Sequence, residues 1–256
     1  MPHLSGKRVV EFMPKLINAA GKEQITYEIQ GPGDELQLRQ APLALYVQGL
    51  QRSSPGNAFL MVSDQALQHP ELAEFLVPPS CFGPDRLDEL PAELRPTAAA
   101  WLLVGGRGAE SRLQRSSVAT CTWNLLVLGR VRWHLLPPST EVAQGRDADC
   151  SSSAVVGECL EDESCDSRTE VWEAEQGIGE VLLLPPGWRC RAHFEDRGLA
   201  VLGQQLPEAS LALAAAQVAQ QFDLRAEPEQ PARCPGEVFS LAAKKASRRE
   251  SRAGTP

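Results

Sequence analysis

The first hundred residues alternate between helical and strand-like spacing of their apolar positions. Apolar residues in KRVVEFMPKLINAA recur at the three-to-four-residue spacing of a helix, whereas EQITYEIQ alternates as a half-buried strand does. APLALYVQGL predicts a short helix and AFLMVSD a buried strand. Pro70 favours the start of another helix, because its missing N–H costs little in the first turn. We therefore expect a mixed helix and strand segment over residues 7–100.

Beyond residue 100 the pattern changes to short apolar runs separated by turn residues. The runs are AAWLLVGG, VATCTWNLLVLG, RVRWHLLPP, GEVLLLPPGW, RCRAHFED and GLAVLGQQL. Short strands with turn signals between them are typical of an antiparallel sandwich or barrel. A helix predicted over LALAAAQVAQQF closes this domain.

Charge is spread unevenly along a chain whose 25 basic and 33 acidic residues give a formal net charge of −8. Between Glu141 and Glu180 there are twelve acidic residues and two basic ones. Residues 139–172 within this stretch are Ser-rich and show no hydrophobic period. That composition predicts a mobile acidic insertion on the surface of the domain.

Residues 223–256 form a tail that is first Pro-rich and then basic. A chain end of this composition predicts a disordered terminus. Clustered basic residues leave a second interpretation open, a nuclear import signal. They are Lys244, Lys245, Arg248, Arg249 and Arg252.

Composition also narrows the function classes. The chain has no apolar run of about 18 residues, so we expect no membrane span, and its first residues lack the apolar core of a signal peptide. Direct nucleic-acid binding is not expected of an acidic chain without a basic face. Seven cysteines at irregular spacing predict reduced thiols and a cytoplasmic or nuclear location.

Two segments of the strand-rich half carry a recognisable arrangement: WNLLVLGRVRWHLLPP at 123–138 and GEVLLLPPGWRC at 179–190. With AFLMVSDQALQHPELAEFLVPPSCFGPDRLDELP upstream, this order resembles the JmjC (Jumonji C) family over residues 7–222. The chain is most similar to the arginine-demethylase/lysyl-hydroxylase (phosphatidylserine-receptor-like) subgroup. The resemblance implies a double-stranded β-helix, which is a jelly roll of the cupin type, flanked by helices.

Active members of that family keep a small set of residues inside the barrel. Two His and one Asp hold Fe(II), and a Lys pairs with the far carboxylate of 2-oxoglutarate. Counted from the Trp-Asn and Gly-Trp pairs, the metal positions fall on Gln114, Ser116 and Cys190. The 2-oxoglutarate positions fall on Val131 and Leu202, both substituted, and on Asn124, which is retained, with Thr120 nearby.

These substitutions predict a barrel without the family's cofactors. Gln114 and Ser116 are neutral and do not offset the charge of a metal, and Cys190 alone does not hold Fe(II) firmly. Val131 cannot anchor a carboxylate. Its neighbour Arg132 cannot replace it, because adjacent residues on a strand face opposite sides.

The four His of the chain offer no obvious replacement for the lost ligands. The family's H-x-D triplet occurs nowhere in the sequence. A displaced metal site could be sought in His193, Cys190 and Cys121. We favour the alternative, in which His134 and His193 are ordinary strand residues. Cys190 and His193 are three positions apart, so on a strand their side chains face opposite sides and cannot bind one metal ion.

Three hypotheses about function remain open. The first is a catalytically inactive JmjC-fold protein that acts as a protein-interaction scaffold, with a partner that the sequence does not identify. The second is an active Fe(II)/2-oxoglutarate-dependent oxygenase that hydroxylates protein side chains. The third is a cupin with a small-ligand role near Asn124, Gln114 and Cys190. The family resemblance also implies a homodimer formed through the C-terminal helix, residues 209–222.

Overall fold

The computed structural model describes residues 6–31, 36–76, 83–90, 95, 98, 100–115, 119–138, 158–159, 171–222, 224 and 234–253. Within this part the protein is mainly β, with two antiparallel sheets and helices at their flanks. No described helix is both long and apolar enough to cross a membrane.

The strands of the described residues account for most of the predicted apolar runs. They are β1 (Gln24–Gln30), β2 (Leu36–Pro42), β3 (Ala58–Ser63), β4 (Ala100–Gly105), β5 (Gln114–Arg115), β6 (Cys121–Leu128), β7 (Val131–Leu136), β8 (Glu158–Cys159), β9 (Trp172–Gln176), β10 (Val181–Leu184), β11 (Arg189–Phe194) and β12 (Gly198–Gln205). Four of them, β2, β5, β8 and β9, were not predicted; β5 and β8 have only two residues each, and β8 lies within the stretch predicted as a mobile insertion. For β2 and β9, burial explains why: five of the seven residues of β2 and three of the five of β9 are exposed, so neither shows a clear apolar face.

Four α-helices surround the sheets. They are α1 (Gly6–Ala20), α2 (Leu43–Gly49), α3 (Leu211–Gln221) and α4 (Pro235–Ala253). The first three match the predicted helices. The helix expected at Pro70 is a short 3₁₀ segment, Pro70–Phe75, rather than an α-helix.

The order of the strands is that of a double-stranded β-helix. The first sheet runs β10-β6-β12-β4-β3-β1-β2 and the second runs β8-β5-β11-β7-β9. Eight strands form the barrel: β4, β6, β10 and β12 in the first sheet, and β5, β7, β9 and β11 in the second. Along the chain, every step between successive barrel strands changes sheet except the step from β7 to β9. The predicted jelly-roll fold class is confirmed.

Alternation along the strands separates the apolar residues into two cores. On β6, Leu125 and Val127 face the helices and pack in one cluster with Phe12 and Leu16 of α1. Leu126, between them, faces the second sheet and belongs to the barrel interior. Because successive residues of a strand face opposite sides, one alternating pattern determines both which residues line the barrel interior and which pack against the helices.

The C-terminal residues correct one prediction. Disorder was expected over 223–256, but Pro235–Ala253 form helix α4, which packs against α3. Val238, Phe239 and Ala242 are buried at helical spacing, so the Pro-rich composition hid an amphipathic helix. Of the predicted insertion at 139–172, all but 158–159 and 171–172 lies outside the described residues.

We expect Phe239→Ala to lower the free energy of unfolding by about 3–5 kcal/mol, because it leaves a cavity between α3 and α4. Urea denaturation checks this, with the exposed neighbour Ser240→Ala as the control variant that changes little. Equal stability of the two variants would contradict the packing of α4 and restore the disordered tail.

Candidate functional site

Strand β7 sets which side chains of the second sheet enter the barrel. Val131, Trp133 and Leu135 are buried and face inward, in contact with the first sheet. Arg132 and His134 alternate with them and face outward, where the Arg132 guanidinium pairs with the Glu195 carboxylate. Arg132 therefore lies on the outer face, as the alternation predicted, and does not take the place of Val131.

Two of the three positions predicted to correspond to metal ligands are direct neighbours. Gln114 on β5 and Cys190 on β11 are paired across the two strands, and each is only 9% exposed. Residues opposed in this way have Cβ atoms about 4.5–5.5 Å apart. Ser116, the third position, lies outside the described residues.

The chemistry of this pair does not fit Fe(II). Burial raises the pKa of the Cys190 thiol to about 12, so at neutral pH the sulfur is protonated. Gln114 is uncharged and contributes no second anionic or imidazole ligand. Among the described residues, no group of three or more His, Cys, Asp or Glu is arranged to hold a metal ion.

Val131 and Leu202, the two substituted positions among those predicted to correspond to 2-oxoglutarate contacts, are apolar and closely packed. Val131 is fully buried and Leu202 is 4% exposed, and both belong to the barrel cluster that contains Trp133 and Phe194. A carboxylate placed there would lose its hydration without gaining a cation, which is strongly unfavourable. The residues present therefore do not fit 2-oxoglutarate.

One end of the barrel is closed by the ring of Phe194. A Cβ at Gly198 would lie 2.6 Å from this ring, and Gly105 meets the same ring from the neighbouring strand. The absence of side chains at these two glycines is what lets Phe194 fill the end of the barrel.

Neutral polar groups line other parts of the interior. The Thr120 hydroxyl donates to the Gln204 side-chain oxygen at 3.3 Å. The Gln176 side chain accepts the Trp133 indole N–H at 2.8 Å and donates to two backbone carbonyls, those of Asn124 and Glu180, at 2.9 Å each. These groups satisfy one another and leave no charge in this part of the interior.

Asn124 is the exception within that neutral lining. Its side chain is 1% exposed, and neither its nitrogen nor its oxygen has a hydrogen-bond partner. Its neighbours across the strands are Leu182 and Leu202. An amide buried without partners costs about 1–3 kcal/mol, so Asn124 destabilises the barrel that contains it.

Among the described residues, His69, His134 and His193 do not form a displaced metal site. His193 faces outward on β11 and its Nδ1 lies 2.9 Å from Glu110, whereas Cys190 faces inward. The chain contains two H-x-E triplets, His69-Pro70-Glu71 and His193-Phe194-Glu195. Neither faces the barrel as a pair: His69 binds the Glu23 carboxylate, and Glu195 binds Arg132.

Comparison with known proteins does not assign this chain to a family. No family model matches the chain, and no curated protein does. An X-ray structure of Escherichia coli YcfD is 15% identical, covering 95% of this chain and 60% of that one, with a TM-score of 0.43. A structure described as YcfD, a ribosomal oxygenase from Escherichia coli, in complex with cobalt and succinic acid is 16% identical, covering 94% and 58%, with a TM-score of 0.41.

The chain thus spans about 60% of the length of the solved YcfD chains. At this similarity the comparisons assign this chain neither an activity nor a ligand. The jelly-roll architecture rests on its own strand order.

Removing the orphaned amide is expected to stabilise the protein. Asn124→Leu keeps a similar volume and removes an unpartnered polar group, so the free energy of unfolding should rise by about 1–3 kcal/mol. The matched control is Gln176→Leu, which loses three hydrogen bonds and should destabilise. Loss of stability in both variants would show that Asn124 has a partner in solution.

Restoring a Lys at the 2-oxoglutarate position is expected to destabilise the barrel by about 4 kcal/mol or more at pH 7, because Val131→Lys buries an ammonium among apolar groups. Burial lowers the pKa of the new Lys in the folded state, so the unfolded state binds more protons and stability should rise with pH up to about 10. Denaturation at several pH values checks this, with the outward-facing Arg132→Lys as control. A stable variant without pH dependence would contradict the packed interior.

Proposed function

We propose that this protein is a catalytically inactive barrel of the JmjC type, which acts by binding other proteins rather than through Fe(II) and 2-oxoglutarate. One observation carries the proposal. Gln114, Cys190, Val131 and Leu202 stand at the positions equivalent to ligand contacts, and all four are buried and uncharged in the barrel.

The electrostatics of the interior support the loss of metal binding. A divalent cation moved out of water needs anionic or imidazole donors to offset its lost hydration. Among the described side chains that line the barrel, the polar ones are amides and hydroxyls, such as Gln114, Asn124 and Thr120. These neutral oxygens are weak substitutes for a carboxylate and two imidazoles.

An interaction role is supported by apolar side chains on the outside of the barrel. Five large hydrophobic residues are exposed within a stretch of thirteen, on and around β9 and β10. They are Val171, Trp172, Ile178, Val181 and Leu183. Exposed apolar groups at this density are typical of surfaces that bind partners. A jelly roll can carry such a role, because a fold does not by itself dictate chemistry.

We expect no stabilisation of the metal-stripped protein by Fe(II) or Mn(II), with or without 2-oxoglutarate, under anaerobic conditions. A ligand that binds the folded state at a hundredfold excess over its dissociation constant would raise the free energy of unfolding by about 2.7 kcal/mol. Thermal unfolding followed by circular dichroism measures the effect. A rise that needs both metal and 2-oxoglutarate would overturn the proposal and favour an active oxygenase of protein side chains.

A variant of the same chain provides the positive control. Gln114→His, Ser116→Asp and Cys190→His together return the family's ligands to their positions, so Mn(II) should stabilise this variant and not the parent. An active Fe(II)/2-oxoglutarate oxygenase, stripped and titrated in parallel, verifies the assay independently of whether the variant folds.

A further inference from the structure

Strand β9 (Trp172–Gln176) is the last strand of the second sheet. It pairs with β7 through five residue pairs, from Leu135–Trp172 to Val131–Gln176. Within the described part of the chain no strand lies on its other side. An edge strand leaves alternate backbone N–H and C=O groups available to another strand.

Glu173 and Glu175, the outward side chains of β9, are the last members of two rows of charged side chains that run from strand to strand across the second sheet. One row runs Arg191–His134–Glu173, and the other runs through Arg132 to Glu175. The Glu173 carboxylate lies 3.7 Å from His134, and Glu175 lies 3.9 Å from Arg132, both on the β7 side. The two carboxylates remain about two-thirds exposed, so each can accept a second cation from the open side.

At the alternate positions of β9, Trp172 and Ala174 are apolar, and Gln176 is buried and bonded to the Trp133 indole. Trp172 is 52% exposed, and its ring meets that of Trp188 edge to face, with centroids 5.7 Å apart. Val171 precedes it and is also exposed. From Val171 to Trp188 the sequence has three Glu and no Lys or Arg. The edge therefore offers two carboxylates at one parity, Glu173 and Glu175, and apolar groups at the other, Trp172 and Ala174.

We infer that β9 receives an added strand from a partner protein, an extended segment with Lys or Arg at alternate positions and apolar residues between them. The basic residues lie beside Glu173 and Glu175, and the apolar ones lie toward Trp172 and Trp188. Strand addition of this kind draws its affinity from backbone hydrogen bonds and its specificity from alternate side chains. The inference rests on the interaction role proposed above and names the class of partner.

Charge argues against the two occupants that this chain could itself supply. Residues 160–170, next to β9 in sequence, carry five acidic residues and one basic one, so they would place like charge beside Glu173 and Glu175. The basic residues near the C-terminus belong to helix α4 (Pro235–Ala253) and are not available as an extended strand.

The test uses the full chain and a fluorescent peptide of alternating lysine and valine, eight residues long, with fluorescence anisotropy as the measurement. We expect the parent to bind this peptide and to bind its glutamate–valine counterpart much more weakly. The double variant Glu173→Lys/Glu175→Lys should reverse the preference and weaken lysine–valine binding by about tenfold or more. Glu173→Gln/Glu175→Gln, a milder change, should give an intermediate loss.

Two controls separate strand addition from general attraction to an acidic protein. Glu208→Lys makes the same kind of charge change at an exposed position outside the sheets and should leave binding unchanged. Peptides N-methylated at odd or at even residues should differ, because only one edge of the added strand faces β9.

Absence of lysine–valine binding, equal binding of both N-methylated peptides, or an equal effect of Glu208→Lys would each overturn the inference. Metal binding is measured in a separate experiment. If the lysine–valine peptide does not bind, the proposal that the barrel is catalytically inactive is still tested by the titration with Fe(II) or Mn(II).

Discussion

The period of two along β7 and β11 is the constraint on which the rest of the structure depends. It places Val131, Trp133 and Leu135 inside the barrel with Cys190, Ala192 and Phe194 of the neighbouring strand, and it places their charged neighbours outside. Moving β7 by one residue would expose Trp133 and bury Arg132, so the register of this strand is strongly specified. A shift of β7 by one residue therefore cannot supply Arg132 as a cation that pairs with the carboxylate of 2-oxoglutarate.

The same constraint divides the molecule into an uncharged interior and a charged exterior. Inside, hydrogen bonds such as that between Trp133 and Gln176 join neutral groups, and Asn124 has no partner. Outside, the second sheet carries ion pairs that include Arg132 with Glu195 and His193 with Glu110. Among the described residues, the charged groups that could recognise another molecule lie on the surface.

Much of this arrangement could be predicted from the sequence, because apolar alternation is strong wherever a strand has one buried face. That holds for β7 and β11, whereas β6 and β12 are buried on both faces and are continuous apolar runs. These patterns were enough to predict an antiparallel sandwich or barrel and the outward direction of Arg132, and the resemblance to the JmjC family implied the jelly roll. The apolar pattern failed where burial is weak: β2 is largely exposed, and β9 lies in an acidic stretch whose charge hid its single buried residue, Gln176. The helix at Pro235–Ala253 was missed because its Pro-rich lead-in favoured disorder.

The candidate site could be predicted only as a set of positions. Counting from the Trp-Asn and Gly-Trp pairs put Gln114 and Cys190 at equivalent positions, but their direct pairing and the orphaned amide of Asn124 depend on strand register in three dimensions. The edge of β9 likewise becomes visible only when the strand order is known, because an edge has no signature in a sequence.

Anomalous diffraction from crystals grown or soaked with Mn(II) and 2-oxoglutarate tests directly whether the barrel interior binds a metal ion and 2-oxoglutarate. The account predicts no anomalous peak between Gln114 and Cys190, and side chains of Val131 and Leu202 in contact across the space where 2-oxoglutarate would lie. A manganese peak beside Cys190 with density for 2-oxoglutarate would contradict it and return the chemistry to the barrel.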